Sequence, residues 1–456
     1  MLSKNLFDDS LYEFHKPQPS WWEASVDSSL TPDSPPLETS ETCDVVVIGG
    51  GYTGLSSAYH LAREYNLDVR VLEAGHIGWG SSGRNGGFCT MGGTPLSAEY
   101  QIRKFGLDET LKYYQAQRDA VELVSSLLEE ENIDAQKQGN GEMVVAEKPA
   151  HFRALKQEAD LFKNKFGIDC KMISREDFRS EHYDAPHQHG AMIQFPSFGL
   201  HPLKYCLGLA RAATKHGAKL HSHSRVDHWE KRDGKHVLKT KAGSITANKV
   251  ILACNGFMPE DIKPEISGRV LPLQSQIIVT RPLEEDELAA HNWHSETPAI
   301  NSRNVYFYYR MLPEKRLMIG GRADFTGTPE GARKTAFGLH RSLGELWPNW
   351  KHVDVAHDWR GFVCFTSRLR PSIGRLPDDL SVYFGFGYHG NGVNNATWAG
   401  REIARWLANS NDKSTPNPKH LPLLVQGLTP RFPFPSLRTV YARAGVGWHR
   451  FKDMID

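Results

Sequence analysis

Gly49, Gly51 and Gly54 stand in the spacing G-x-G-x-x-G, with Tyr52 and Thr53 in the variable places. Glycines so spaced suit the binding of a pyrophosphate. The first permits a tight turn. The second lets a phosphate approach the backbone with no Cβ in the way, and the third lets a helix pack closely on a strand. A helix opening there offers unpaired N–H groups and the positive end of its dipole to an anion. Glu73 lies 22 residues beyond Gly51. Its carboxylate can accept hydrogen bonds from ribose hydroxyls and would repel a 2′-phosphate, which argues against NADP.

A glycine-rich turn alone is weak, so the motif depends on the elements around it. Val45, Val46, Val47 and Ile48 predict a buried strand running into the glycines. Residues 55–64 predict a helix leaving them, and Val69–Leu72 a second buried strand that Glu73 ends. Ala58 is small where the helix must approach the sheet. Residues 1–40 are polar and proline-rich, with Trp21-Trp22 as an apolar island, and predict an arm that packs back by its tryptophans. Residues 75–93 form a long loop dense in Gly and Ser. Residues 105–190 are polar and mostly helical in pattern. Around 265–325 the texture becomes alternating and aromatic, and residues 276–280 and 305–309 predict antiparallel strands. Residues 382–410 return to strand, glycine loop and helix, and the chain then turns proline-rich before ending basic and aromatic.

The 456 residues exceed one comfortable hydrophobic core and suit two interleaved domains. With 39% hydrophobic and 23% charged residues the composition is that of a soluble globular protein, and a net charge of +1 gives nucleic acid no support as a partner. The six cysteines include no Cys-x-x-Cys pair and no zinc spacing, so we expect no metal, reduced thiols and a cytoplasmic protein. The first ten residues carry Asp8 and Asp9 and no apolar segment, unlike a secretory signal. No stretch approaches the roughly eighteen apolar residues of a membrane span.

Residues 74–87 read Ala-Gly-His-Ile-Gly-Trp-Gly-Ser-Ser-Gly-Arg-Asn-Gly-Gly; residues 247–256 read Ala-Asn-Lys-Val-Ile-Leu-Ala-Cys-Asn-Gly; residues 382–392 read Val-Tyr-Phe-Gly-Phe-Gly-Tyr-His-Gly-Asn-Gly. In this order, over residues 42–410, the chain resembles the D-amino-acid-oxidase superfamily, which includes glycine oxidase and sarcosine oxidase. The resemblance implies FAD. It places Ala74, Ser81, Ser82, Arg84, Asn85, Gly86 and Gly87 along the cofactor, with Arg84 adding charge near the pyrophosphate. It sets the backbone of Val226 at the adenine and Gly256 beside the cofactor. Gly387, Gly390, Asn391, Gly392 and Val393 would close the flavin site at a helix N-terminus, whose dipole favours negative charge on the reduced flavin. The implied fold is α/β (α+β), a Rossmann-like FAD domain interleaved with an antiparallel-sheet substrate domain. We expect an arm at 1–40, an FAD domain at 41–95, 200–262 and 355–412, a substrate domain at 96–199 and 263–354, and an extension at 413–456.

Residues 367–376, together with Tyr308-Tyr309-Arg310 and residues 316–321, resemble the gamma-glutamylputrescine oxidoreductase branch. The sequence also departs from the family. Asn391 replaces the histidine of the closing turn, with His389 two places earlier. Gly361 stands where sarcosine oxidases attach flavin to a cysteine, and Cys364 is out of step, so non-covalent FAD is expected. Met318 aligns loosely with a lysine used in oxygen chemistry.

The resemblance implies oxidation of a C–N bond by hydride transfer to flavin, followed by hydrolysis of the imine. Tyr306, Phe307, Tyr308 and Tyr309 are candidates for the substrate wall, although alternate residues of a strand must face away as sheet core. Arg310 can pair with a substrate carboxylate, or make a surface ion pair. His389 can face the flavin, or be a hydrogen-bonded structural group. Trp359 and Trp398 are read as packing. The resemblance and Arg310 together lead us to expect a small amine or amino acid bearing a carboxylate as substrate, and oxygen or quinone as acceptor. The tail, with Arg438, Arg443, His449, Arg450 and Lys452 among Leu437, Val440, Tyr441, Val446, Trp448 and Phe451, would suit membrane contact as a basic amphipathic helix. Gly445 and Gly447 weaken that helix, and docking on this chain or a second subunit is the plainer reading. A membrane-associated dehydrogenase passing electrons to quinone is one alternative. A flavin-binding interaction subunit without catalysis is another.

Overall fold

The computed structural model describes residues 5–409 and 416–455. Residues 1–4, and the side chains of Arg450 and Phe451 named for the tail, lie outside that description.

The valine run at 45–48 is apolar on successive residues because both of its faces are covered. Val46 and Ile48 enter one core cluster, Val45 and Val47 another. Its strand, Ser40–Ile48, pairs in parallel with Val69–Leu72 on one side and Ser244–Leu252 on the other. The sheet continues in parallel to Lys219–His221 at one end and Asp379–Phe386 at the other. Ser372–Leu376 and the pair His228–Arg232 and Lys235–Lys239 add antiparallel strands, giving eight in all.

The helices Tyr52–Tyr65 and Gly392–Asn409 pack closely because small residues meet at their crossing. A Cβ on Gly400 would lie 2.5 Å from the Thr53 carbonyl oxygen. Ser56 and Ser57 donate to the carbonyls of Thr397 and Gly400 at 2.7 and 3.1 Å. This contact ties the N-terminal fingerprint to the closing helix more than 300 residues later.

A second eight-stranded sheet runs Val355–Thr366, Val270–Thr280, Leu317–Arg322, Tyr308–Met311, Ala299–Asn301, Glu142–Val145, Ala191–Gln194, Cys170–Ile173. Its neighbours are antiparallel except Ala299–Asn301 beside Glu142–Val145. Val355–Thr366 pairs with Val270–Thr280 from Val270↔Thr366 to Thr280↔Val355. Residues 355–366 therefore belong to this sheet, and the domain boundary expected at 355 moves past Thr366. The helix Pro329–Leu346 and the buried Trp347 and Trp350 cover the sheet's far face.

The arm packs back as expected, with Trp22 only 1% exposed. The tail forms the helix Arg438–Ile455 despite its two glycines, each of which costs an exposed helix about 1 kcal/mol. Docking offsets that cost. Arg438 is buried, donating to Glu260 at 2.8 Å and to the Val270 carbonyl at 2.7 Å, and Asp453 accepts from the backbone of Asn304 and Val305. Among the described residues no helix is long and apolar enough to cross a membrane. All six cysteines are free.

Candidate functional site

The turn after Ile48 is built for close approach. Gly49 has φ +114°, and a Cβ there would lie 2.8 Å from the Ala253 carbonyl oxygen. A Cβ on Gly54 would collide with the Gly49 carbonyl, so only glycine lets the helix sit this near the strand. Gly51 is the N-cap of the helix Tyr52–Tyr65 and has no side chain to cap it. The Tyr52 N–H instead meets Ser82 Oγ at 3.0 Å. The Glu73 carboxylate accepts from Gly50 N–H at 2.7 Å and Gly75 N–H at 2.9 Å. Burial pushes its pKa up, and those two bonds pull it back.

These groups border a cavity of about 1290 Å³, counting its open mouth, at the carboxyl ends of the parallel strands. That is where open α/β sheets bind their ligands. Gly49, Gly51, Tyr52 and Thr53 line it from the turn. Glu73 and Ala74 line it from the second strand, and Ser81 and Ser82 from the loop. Val226 and Gly256 line it from the far side, and Tyr388 and Ala396 from the closing turn and helix. A cavity lined by a glycine turn at a helix N-terminus and by a carboxylate fits a dinucleotide.

The rest of the predicted loop stands behind the cavity and holds its shape. Asn85 donates to the carbonyls of Ser81 and Ser82 at 3.0 and 3.1 Å and accepts from Gly87 N–H at 2.8 Å. Two buried indoles pin the same loop: Trp22 Nε1–H bonds the Asn85 carbonyl and Trp359 Nε1–H the Arg84 carbonyl, at 2.9 and 2.8 Å. Trp359 was read from sequence as packing, but it also fixes the loop. Arg84 does not line the cavity. Its guanidinium lies 3.9 Å from the Trp79 ring centre, its Nε donates to the Trp79 carbonyl at 2.6 Å, and its Nη2 is buried without a hydrogen-bond partner. Gly86 and Gly87 are needed for packing against Tyr308 and the Leu200 carbonyl.

Arg310 requires correction. It is 1% exposed, and its fork is taken by the protein itself: Gly86 O at 3.1 Å, Gln138 Oε1 at 2.8 Å and Leu200 O at 2.6 Å. It supports the back of the loop and does not present its guanidinium to a substrate. His389 does not line the cavity either. It sits at φ +53°, edge-on to Phe365 at 4.9 Å, and burial pushes its imidazole down to about 4. At the closing turn Gly387 adopts φ +79° and Gly390 φ +100°. Gly392 opens the helix and Val393 is buried in it. Asn391 and Asn394 both donate to the Thr90 carbonyl, at 2.7 and 3.0 Å, which leaves each Oδ1 buried without a partner.

The aromatic run splits by strand alternation. Phe307 and Tyr309 enter the tryptophan core on the sheet's far face. Tyr308 faces the loop, its hydroxyl 2.9 Å from Ser275 Oγ and its ring edge-on to Phe88. Tyr306, 43% exposed, stands near Gly390. Two further ionisable residues share this face. Arg322 is paired in register with Ser275, and its charge opposes the upward push of burial on the Tyr308 hydroxyl. Glu142 is buried, bonded to Thr90, and pushed up to about 8 by burial. Neither lies in a motif, and only sheet register brings them here.

Gly361 lies beside Arg84, where a Cβ would be 3.5 Å from Arg84 Cβ. Cys364 is 2% exposed in the core behind Gly256, and burial pushes its thiol up to about 12. A thiol so placed is a poor nucleophile. Acid precipitation of the holoprotein is therefore expected to release all yellow colour into the supernatant. Colour retained in the pellet would contradict the non-covalent assignment.

Residues 44–406 match the family model DAO, FAD dependent oxidoreductase. Gamma-glutamylputrescine oxidoreductase of Escherichia coli (strain K12) is 30% identical over 452 residues, covering 96% of this chain and 98% of that one. Glycine oxidase of Bacillus subtilis (strain 168) is 24% identical, covering 80% and 93%. The crystal structure of glycine oxidase from Geobacillus kaustophilus superposes with a TM-score of 0.68 at 19% identity, covering 86% of this chain and 100% of that chain.

Proposed function

The chain belongs to the DAO family of FAD-dependent oxidoreductases, and from that premise we propose that it oxidises the C–N bond of an amine or amino acid whose other end carries a carboxylate. The observation that carries this reading is the face of the second sheet turned to the loop, where Tyr308, bonded to Ser275, and Arg322, paired in register with Ser275, lie on adjacent strands. The relative named for a glutamylated amine supports it.

The flavin supplies the hydride acceptor. The chain's own task is to place the substrate carbon and keep the amine neutral. No side chain must act as a strong base once the amine has lost its proton. His389 is uncharged at neutral pH, so it brings no cation to the closing turn. Ser275 orients the Tyr308 hydroxyl as one wall. Arg322 takes the role of carboxylate partner, because it pairs in register with Ser275 on the face that carries Tyr308. A planar fork matches a carboxylate, and uncoupling such a pair in a partly desolvated site costs about 2–5 kcal/mol.

Arg322→Met is accordingly expected to raise KM for a carboxylate-bearing amine about thirtyfold or more, the lower end of that range, with normal flavin content. An anaerobic screen of amines and amino acids for bleaching of the bound flavin identifies the substrate class. Best turnover of simple amines without a carboxylate, unaffected by Arg322→Met, would overturn the reading. A quinone acceptor is a second reading, favoured by the exposed Val440 and Trp448 on the basic terminal helix. Stoichiometric hydrogen peroxide on turnover in air decides for oxygen.

A further inference from the structure

The family match begins at residue 44, yet four residues of the arm before it, Asn5, Leu6, Tyr12 and Phe14, line the dinucleotide cavity. We infer that the arm is a strap forming an outer wall of the FAD site, and that FAD leaves only when this strap lifts. The inference rests on the cofactor and is independent of which amine is oxidised.

The arm is fastened on both sides of the cavity. Trp22 anchors one end in the body, bonded to the Asn85 carbonyl. Trp79 Nε1–H bonds the Lys16 carbonyl at 2.7 Å, which brings the chain over the loop. Phe14 then lies 4.6 Å from the Trp79 ring and 6.3 Å from Phe257, with Arg225 5.8 Å from its ring centre. Tyr12 packs on Phe257 and Phe362 at 6.4 and 5.9 Å. Beyond it Phe7 and Leu11 are buried, Phe7 against Phe362 and Leu11 against Gly327. Trp79, Phe257 and Arg225 are themselves cavity residues. The strap thus touches the cavity wall and supplies part of it.

The C-terminal extension, also outside the family match, meets the strap at the same rim. Glu260 lines the cavity and is held at 2.8 Å by Arg438 of the terminal helix. Segments from both ends of the chain, outside the family match, thus meet at one rim. Aromatic faces that contact both protein and cofactor must part from both before the cofactor escapes, which slows release more than entry. By linkage, bound FAD must hold the arm down as firmly as the arm holds FAD.

The wild-type test is hydrogen–deuterium exchange over residues 5–16, comparing holoprotein with flavin-stripped protein. The strap is expected to exchange more slowly when FAD is bound. In the double variant Tyr12→Ala/Phe14→Ala, release of FAD, followed as recovery of free-flavin fluorescence on dilution, is expected to quicken about tenfold or more. Equal exchange with and without FAD overturns the strap. So does an unchanged release rate in a variant with wild-type circular dichroism. If that variant does not fold, the wild-type exchange comparison decides alone.

Discussion

Arg310→Met is expected to lower folded stability by about 3 kcal/mol and to strip flavin from the protein, with little selective change in KM. The guanidinium is buried and donates to Gly86 O, Leu200 O and Gln138 Oε1. Methionine fills similar volume and makes none of these bonds. Two backbone carbonyls and a side-chain amide oxygen then stay buried without donors, each at a cost of about 1–3 kcal/mol. Relief from burying the charge offsets part of that. Gly86 and Gly87 belong to the loop that frames the cofactor, so slack there widens the site. Lysine should fare little better, because a point charge cannot reach three acceptors set in a fork. Thermal unfolding and the flavin-to-protein absorbance ratio are the readouts. Unchanged melting with a large rise in KM for an acidic substrate would falsify this assignment and return Arg310 to the substrate.

That contrast shows what the sequence could disclose. The fingerprint at 49–54 was legible because its causes are local: a strand, three glycines and a helix within about twenty residues. Glu73 was legible for the same reason. Arg310 was not, since its partners lie 110, 172 and 224 residues away. From sequence it was an arginine beside two tyrosines, and alternation alone could not say which face it took or what waited there. Arg322 has the opposite history. No motif marks it, but pairing with Ser275 puts it on the face with Tyr308. The expected boundary at 355 falls before the strand Val355–Thr366, which pairs into the second sheet, because strand pairing across the chain leaves no local mark in the sequence. Its partner, Val270–Thr280, lies some eighty residues earlier. Trp22 was expected to pack, and does. That its indole would bond the flavin loop, with Tyr12 and Phe14 reaching the cavity, follows only from where the arm lands.

Gly51→Val is expected to give a folded protein without FAD. The three glycines of the fingerprint differ in what a side chain would meet. At Gly49 φ is +114° and a Cβ faces the Ala253 carbonyl; at Gly54 it strikes the Gly49 carbonyl. Backbone cannot yield at either place, so substitution there breaks the fold and says nothing about the cofactor. Gly51 has φ −95°, a conformation open to any residue, and its Cβ would meet only Ser82 Oγ at 2.8 Å. A serine hydroxyl can rotate away, so valine is tolerated by the chain. It is not tolerated by a ligand, because its side chain stands at the helix N-terminus on the cavity wall, where a pyrophosphate must approach the backbone closely. Forcing the phosphate outward weakens its backbone hydrogen bonds and the dipole contact together, a loss on the order of 3 kcal/mol or more, or over a hundredfold in Kd. The variant should elute colourless, melt close to flavin-stripped wild type, and regain flavin absorbance only at FAD concentrations far above those that fill wild type. A yellow Gly51→Val protein with full FAD occupancy would mean that the pyrophosphate lies elsewhere, and the site would have to be rebuilt around another helix terminus.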